Sequence, residues 1–131
     1  MKKIVYLNIF LLFFLFISFQ ANAKNVPNLI GKWQGKNIKS TVKKGFVQSN
    51  NIVEITEQKD RLFKGYVIHK DGKEAFVGVI KSDHKNFYWA DSSNDDGKVI
   101  GTILKKNIIE TCYLDSGRDA VAGCSILVKE K

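Results

Sequence analysis

The sequence predicts an all-β protein, an antiparallel up-and-down meander of about eight strands closing into a small barrel. Three observations carry the prediction. Short segments rich in Val, Ile, Phe and Tyr recur at nearly regular intervals between turn residues. No segment beyond residue 24 shows a convincing helical apolar period. Glycine returns at one place in segment after segment: Phe63-Lys64-Gly65, Phe76-Val77-Gly78, Val99-Ile100-Gly101 and Val121-Ala122-Gly123 all read apolar-x-Gly. Each continues to a further apolar residue: Val67, Ile80, Ile103 and Ile126. Glycine inside a strand weakens it, so the repetition needs a geometric reason. A bend where a sheet curls, or close approach of a backbone or large ring, supplies one, and both suit a small barrel.

The chain of 131 residues holds one domain. Residues 1–23 read as a secretory signal peptide: Met1-Lys2-Lys3 is basic, residues 4–19 are apolar except Asn8 and Ser18, and Ala21-Asn22-Ala23 is a cleavage pattern. The alternative is an uncleaved anchor, although the apolar run falls short of the ~20 residues a membrane span needs. Either reading puts residues 24–131 outside the cytoplasm, in the periplasm or secreted. No stable membrane span is expected after cleavage. No cysteine lies near the cleavage site, which excludes a lipoprotein anchor.

The first strand is read at 29–39 and the second at 51–58, where Val53 and Ile55 alternate with Glu54 and Thr56. Lys59-Asp60-Arg61 turns the chain into 62–70. Asp71-Gly72 is a two-residue hairpin signal leading to 73–82. Asp83-His84-Lys85 turns into 86–91, and residues 92–97 turn into 98–105. Asn107 precedes 108–114, and Asp115-Ser116-Gly117-Arg118-Asp119 returns the chain through 120–129. Segment 40–50 does not fit this rhythm. It is read as a flap, a short extra strand or one turn of helix, and as a place where function could sit.

Period-two alternation proposes the inner face. On the first strand it selects Leu29, Gly31, Trp33, Gly35 and Asn37. Val53 and Ile55 follow, then Phe63, Gly65 and Val67, then Phe76, Gly78 and Ile80. Phe87 and Trp89 come next, then Val99, Gly101 and Ile103. The last two strands offer Ile109, Thr111 and Tyr113 against Val121, Gly123, Ser125 and Leu127. A one-residue slip there would instead bury Cys112, Leu114, Ala122 and Cys124, and both registers stay open.

Cys112 and Cys124 are an even pair in a small exported domain and read as a disulfide. A hairpin centred on Arg118 sets them opposite each other. A redox-active pair would call for closer spacing such as Cys-x-x-Cys.

Gly31-Lys32-Trp33 on the first strand of an eight-stranded meander resembles the calycin barrels, the lipocalins and avidins. The apolar-x-Gly repeats look more avidin-like than lipocalin-like. The resemblance implies a barrel whose open end holds a small hydrophobic or amphipathic ligand. No binding motif beyond the tryptophan aligns, so no ligand contact is carried over and biotin binding is not supported.

The formal net charge is +8, and +6 without the leader's two lysines. The basic residues are scattered, with no stripe to suit nucleic acid. They read as a solvated surface, or as weak attraction to an anionic envelope surface or acidic partner. Catalytic chemistry finds little support. His69 and His84 fall at opposite ends of a hairpin, and no Ser-His-Asp order has supporting context. Asp91-Ser92-Ser93-Asn94-Asp95-Asp96-Gly97 has the alternating oxygens of a calcium loop. It lacks the glycine at the sixth position and the glutamate at the twelfth, so it reads as a polar turn. No enzyme activity, cofactor or metal is expected.

Two functions follow. The first is a barrel that binds a small hydrophobic ligand, with Trp33, Phe63, Phe76, Phe87, Trp89 and Tyr113 as its wall and Asn37, Thr111 and Ser125 as sparse polar groups. Among these, Trp33, Asn37, Trp89, Thr111, Tyr113 and Ser125 are the candidate contacts. The same aromatics could simply fill the core. The second is a surface-acting module that binds or inhibits an envelope or host protein.

Overall fold

Alternation along each strand sorts the side chains, and hydrogen-bonded register then brings the inner ones together. The computed structural model describes residues 25–92 and 96–131. The leader read at 1–23 and the middle of the turn read at 92–97 lie outside them. Eight antiparallel strands follow one another round a closed barrel. They are β1 (Gly31–Thr41), β2 (Gly45–Lys59), β3 (Leu62–His69) and β4 (Gly72–Ile80), then β5 (Asn86–Asp91), β6 (Lys98–Lys105), β7 (Ile108–Asp115) and β8 (Val121–Lys129). Pairing of β8 with β1, from Trp33 with Lys129 to Thr41 with Val121, leaves no free sheet edge.

Segment 40–50 is none of the three forms expected for it. Ser40 pairs with Phe46 and Thr41 with Gly45, so β1 and β2 make one long hairpin. Its tip is the tight turn Val42-Lys43-Lys44. The Lys44 N–H donates to Thr41 Oγ1 at 2.8 Å, and Gly45 takes a left-handed φ of 69°. The turn chemistry is one glycine rather than a Gly/Asn/Asp cluster.

The strand glycines have two causes: a Cβ at Gly35 or Gly65 would strike the neighbouring strand's backbone, at the Ile126 and Glu54 carbonyls, whereas Gly78 and Gly101 make room for rings. In the register Phe63 lies opposite Gly78, Phe76 opposite Gly65, and Phe87 opposite Gly101. Each core phenylalanine therefore sits across from a residue without a side chain. A Cβ at Gly78 would clash with the Phe63 ring, 2.3–2.8 Å from its atoms, and one at Gly101 with the Phe87 ring, 2.0–2.6 Å from its atoms. Phe87 is fully buried and cannot swing away. Gly101→Ala should therefore cost about 1–3 kcal/mol by overpacking. Urea unfolding measures this, and a neutral result would refute the steric account.

These rings form one connected column. Phe63 meets Phe76 and Phe87 edge-on at centroid distances of 6.2 and 5.8 Å, and Trp89 stacks on Phe76 at 4.5 Å. At the end of the barrel where β1 begins, residues 25–30 cover the opening. Leu29 and Trp33 are buried there, and Trp33 Nε1 donates to the Leu29 carbonyl at 2.8 Å. Gln58 holds this segment from β2, accepting from the Leu29 N–H and donating to the Pro27 carbonyl, both at 2.8 Å. This closed end is the base.

β7 and β8 take the register that buries Thr111 and Ser125 and leaves Leu114 49% exposed. Cys112 lies directly opposite Cys124 on the half-buried outer side, and the two form a disulfide. Such a bond points to an oxidising, non-cytoplasmic compartment. No helix among the described residues is long and apolar enough to cross a membrane.

Candidate site at the open end of the barrel

The aromatic column fills the barrel from the base to its middle. Beyond Trp89 the inner positions become smaller or polar, and a cavity of about 290 Å³ opens towards the end opposite the base. That is the liquid volume of about ten water molecules. Trp89, Val99, Thr111 and Ser125 are its buried residues. Around them stand half-buried Asn37, Asn51, Val67 and Tyr113. Lys39, His69, Glu74, Asp91, Val121 and Gly123 complete the lining.

Each of these comes from the inward parity of its strand. Asn51 Nδ2 donates to Ser125 Oγ at 3.1 Å, linking β2 to β8 across β1. Beside this crossing Gly35 pairs with Asn51, and a Cβ on it would strike the Ile126 carbonyl of β8. At the rim His69 Nε2 lies 3.1 Å from Glu74 Oε2. Two lining groups have no hydrogen-bond partner although buried: the Trp89 indole Nε1 and the Asn37 Oδ1. One is a donor and the other an acceptor. An unmet buried polar group costs about 1–3 kcal/mol, so both favour a guest that completes them.

Of the residues selected from sequence, Asn37, Trp89, Thr111, Tyr113 and Ser125 come together around this cavity. Trp33 does not: it lies at the base, packed under Leu29 with the Lys129 ammonium 5.3 Å from its ring centroid. Phe63, Phe76 and Phe87, proposed as wall, are core and do not line the cavity. Sequence reasoning missed Lys39, Asn51, His69, Glu74 and Asp91. The signal was present, because each lies two positions beyond an inward residue already chosen. Their polarity had made them look like surface.

His69 is at this end and His84 is in the β4–β5 turn at the base. Among the described residues no group of three or more His, Cys, Asp or Glu side chains is placed to hold a metal ion.

No family model matches the chain, and no curated protein does. Solved structures do resemble it in shape. The S-type phycobiliprotein lyase CPES from Guillardia theta aligns with a TM-score of 0.50 at 12% identity, covering 79% of this chain and 89% of that one. A redesigned beta barrel aligns with a TM-score of 0.49 at 15% identity, over 79% and 92% of the two chains. At such identity the likeness to the lyase is one of fold.

Proposed function

We propose that this protein is a periplasmic or secreted binding protein, not an enzyme, that takes a small amphipathic ligand into the open end of its barrel. The observation that carries the reading is the cavity beyond Trp89, lined by two buried polar atoms with unmet hydrogen bonds. Its size of about 290 Å³ falls just below the usual range for small-molecule sites, about 300–1,000 Å³, and so suits a small guest. A fitting ligand offers an acceptor to Trp89 Nε1 and a donor to Asn37 Oδ1, and leaves its charged or polar end among Lys39, His69, Glu74 and Asp91. Kinship with the calycin barrels belongs to this same reading. It would give the open end its usual use.

The test begins with native mass spectrometry of protein recovered from its own compartment, to catch the ligand it carries. Titration of that ligand, followed by isothermal calorimetry, then gives an affinity for each variant. Trp89→Phe keeps an aromatic ring and removes the indole N–H. It should weaken binding about tenfold, the worth of one buried hydrogen bond. Trp33→Phe, altered only at the base, should bind normally. Equal loss in both variants, or an apo mass with no tryptophan quenching across a broad panel of amphipathic probes, would sink the reading.

A second reading, a module acting on an envelope or host protein, has one observation in its favour. Across β3 to β6 the outward residues Leu62, Val79, Tyr88 and Ile100 are successive register partners and are 61, 37, 43 and 45% exposed. They form an apolar band on the outside of the barrel. In the same mass spectrum this reading shows itself as a protein partner in place of a small mass.

A further inference from the structure

We propose that the base of the barrel docks on an anionic lipid surface, turning the open end away from it. Residues 25–131 carry 18 basic and 13 acidic side chains. In a meander, alternate turns fall at the same end, so the β2–β3, β4–β5 and β6–β7 turns share the base with the C-terminal residues. The first of these turns holds Lys59 and Arg61 around Asp60. The second holds Lys81 and Lys85 around Asp83. The third holds Lys105 and Lys106 with no acid. At the start of β1 and the end of β8 lie Lys32, Lys129 and Lys131 with Glu130.

The base therefore gathers nine basic side chains against three acidic, while the rest of residues 25–131 has nine against ten. The whole positive excess sits at one end. Two of the three acids are already engaged. Glu130 pairs with Lys32 at 3.2 Å. Asp83 accepts from the Lys85 and Asn86 N–H groups and from Asn86 Nδ2 at 2.8–2.9 Å, which hold its carboxyl well below the usual carboxylate range. Lys59, Lys81, Lys85, Lys105, Lys106 and Lys131 are all exposed. A cluster of four to eight such residues is the footprint that anionic headgroups attract.

The test is sedimentation of the exported protein with vesicles, either pure phosphatidylcholine or with about one third phosphatidylglycerol, in about 0.1 M salt. Binding should require the anionic lipid. Lys105→Glu/Lys106→Glu should lower the partition coefficient about 25-fold or more, from the usual worth of two surface lysines. Lys43→Glu/Lys44→Glu, an equal charge change at the β1–β2 tip, should lower it less than about twofold, since that tip lies well over a screening length from the lipid. Equal losses in the two variants would mean that net charge alone acts, and would overturn the proposal. So would loss on Phe46→Ser, at the 93% exposed side chain next to the opposite tip. Retention on heparin without vesicle binding would assign the base to a soluble polyanion instead. Far-UV circular dichroism confirms that each variant is folded.

Discussion

Trp33→Ala should cost about 3–5 kcal/mol of folding stability. The indole is fully buried, so its removal leaves a void at the base of the core. It also takes the donor from the Leu29 carbonyl, whose hydrogen bond at 2.8 Å ties residues 25–30 across the opening. An orphaned carbonyl adds about 1 kcal/mol if water cannot reach it. The ring further carries the Lys129 ammonium at 5.3 Å from its centroid. Domains of this size are stable by only about 5–15 kcal/mol, so the variant should approach the threshold of folding. Guanidinium unfolding measures the loss as a lower midpoint at unchanged slope. Trp33→Phe should lose much less. A cost for Trp33→Ala below about 1 kcal/mol would show that the base is not closed in the way described.

Cys112→Ala/Cys124→Ala should remove about 3 kcal/mol, for a different reason. The bond joins residues 12 apart that are already register partners in β7 and β8. Its removal opens no core void, because both cysteines lie on the outer side and are half-buried. The loss comes from the unfolded chain, which regains the freedom of a short loop. For a domain of about 100 residues this lowers the melting temperature by roughly 12–24 °C. Reducing the native protein should give the same shift. An unchanged melting temperature on reduction would mean that the β7–β8 hairpin is equally restrained without the bond.

Much of the barrel was legible because period two leaves so few choices. Once the glycine repeat set Gly31, Trp33 and Gly35 inward, every second residue of β1 followed, and the same parity served the other strands. The apolar-x-Gly repeat marked positions where a ring or a backbone approaches closely from the neighbouring strand, though not which of the two. Five of the six candidate contacts meet around one cavity because they continue that parity towards the open end. The two unmet atoms, on Asn37 and Trp89, were not legible, because no local pattern reports a missing partner.

The sequence by itself determined the all-β class, the order of the strands, which face of each is apolar, and the pairing of two cysteines across one turn. These are local properties, set by backbone pleat, turn chemistry and spacing. Tertiary structure alone decided the rest. It extended β1 and β2 through segment 40–50, because pairing lets a single left-handed glycine make the turn. It chose the register of β7 and β8, because a closed barrel must place Thr111 and Ser125 or their neighbours inward, not both. It also separated the two tryptophans into a plug and a cavity wall. Strand order round a barrel decides which end each side chain reaches, and that is a non-local distance absent from any stretch of chain.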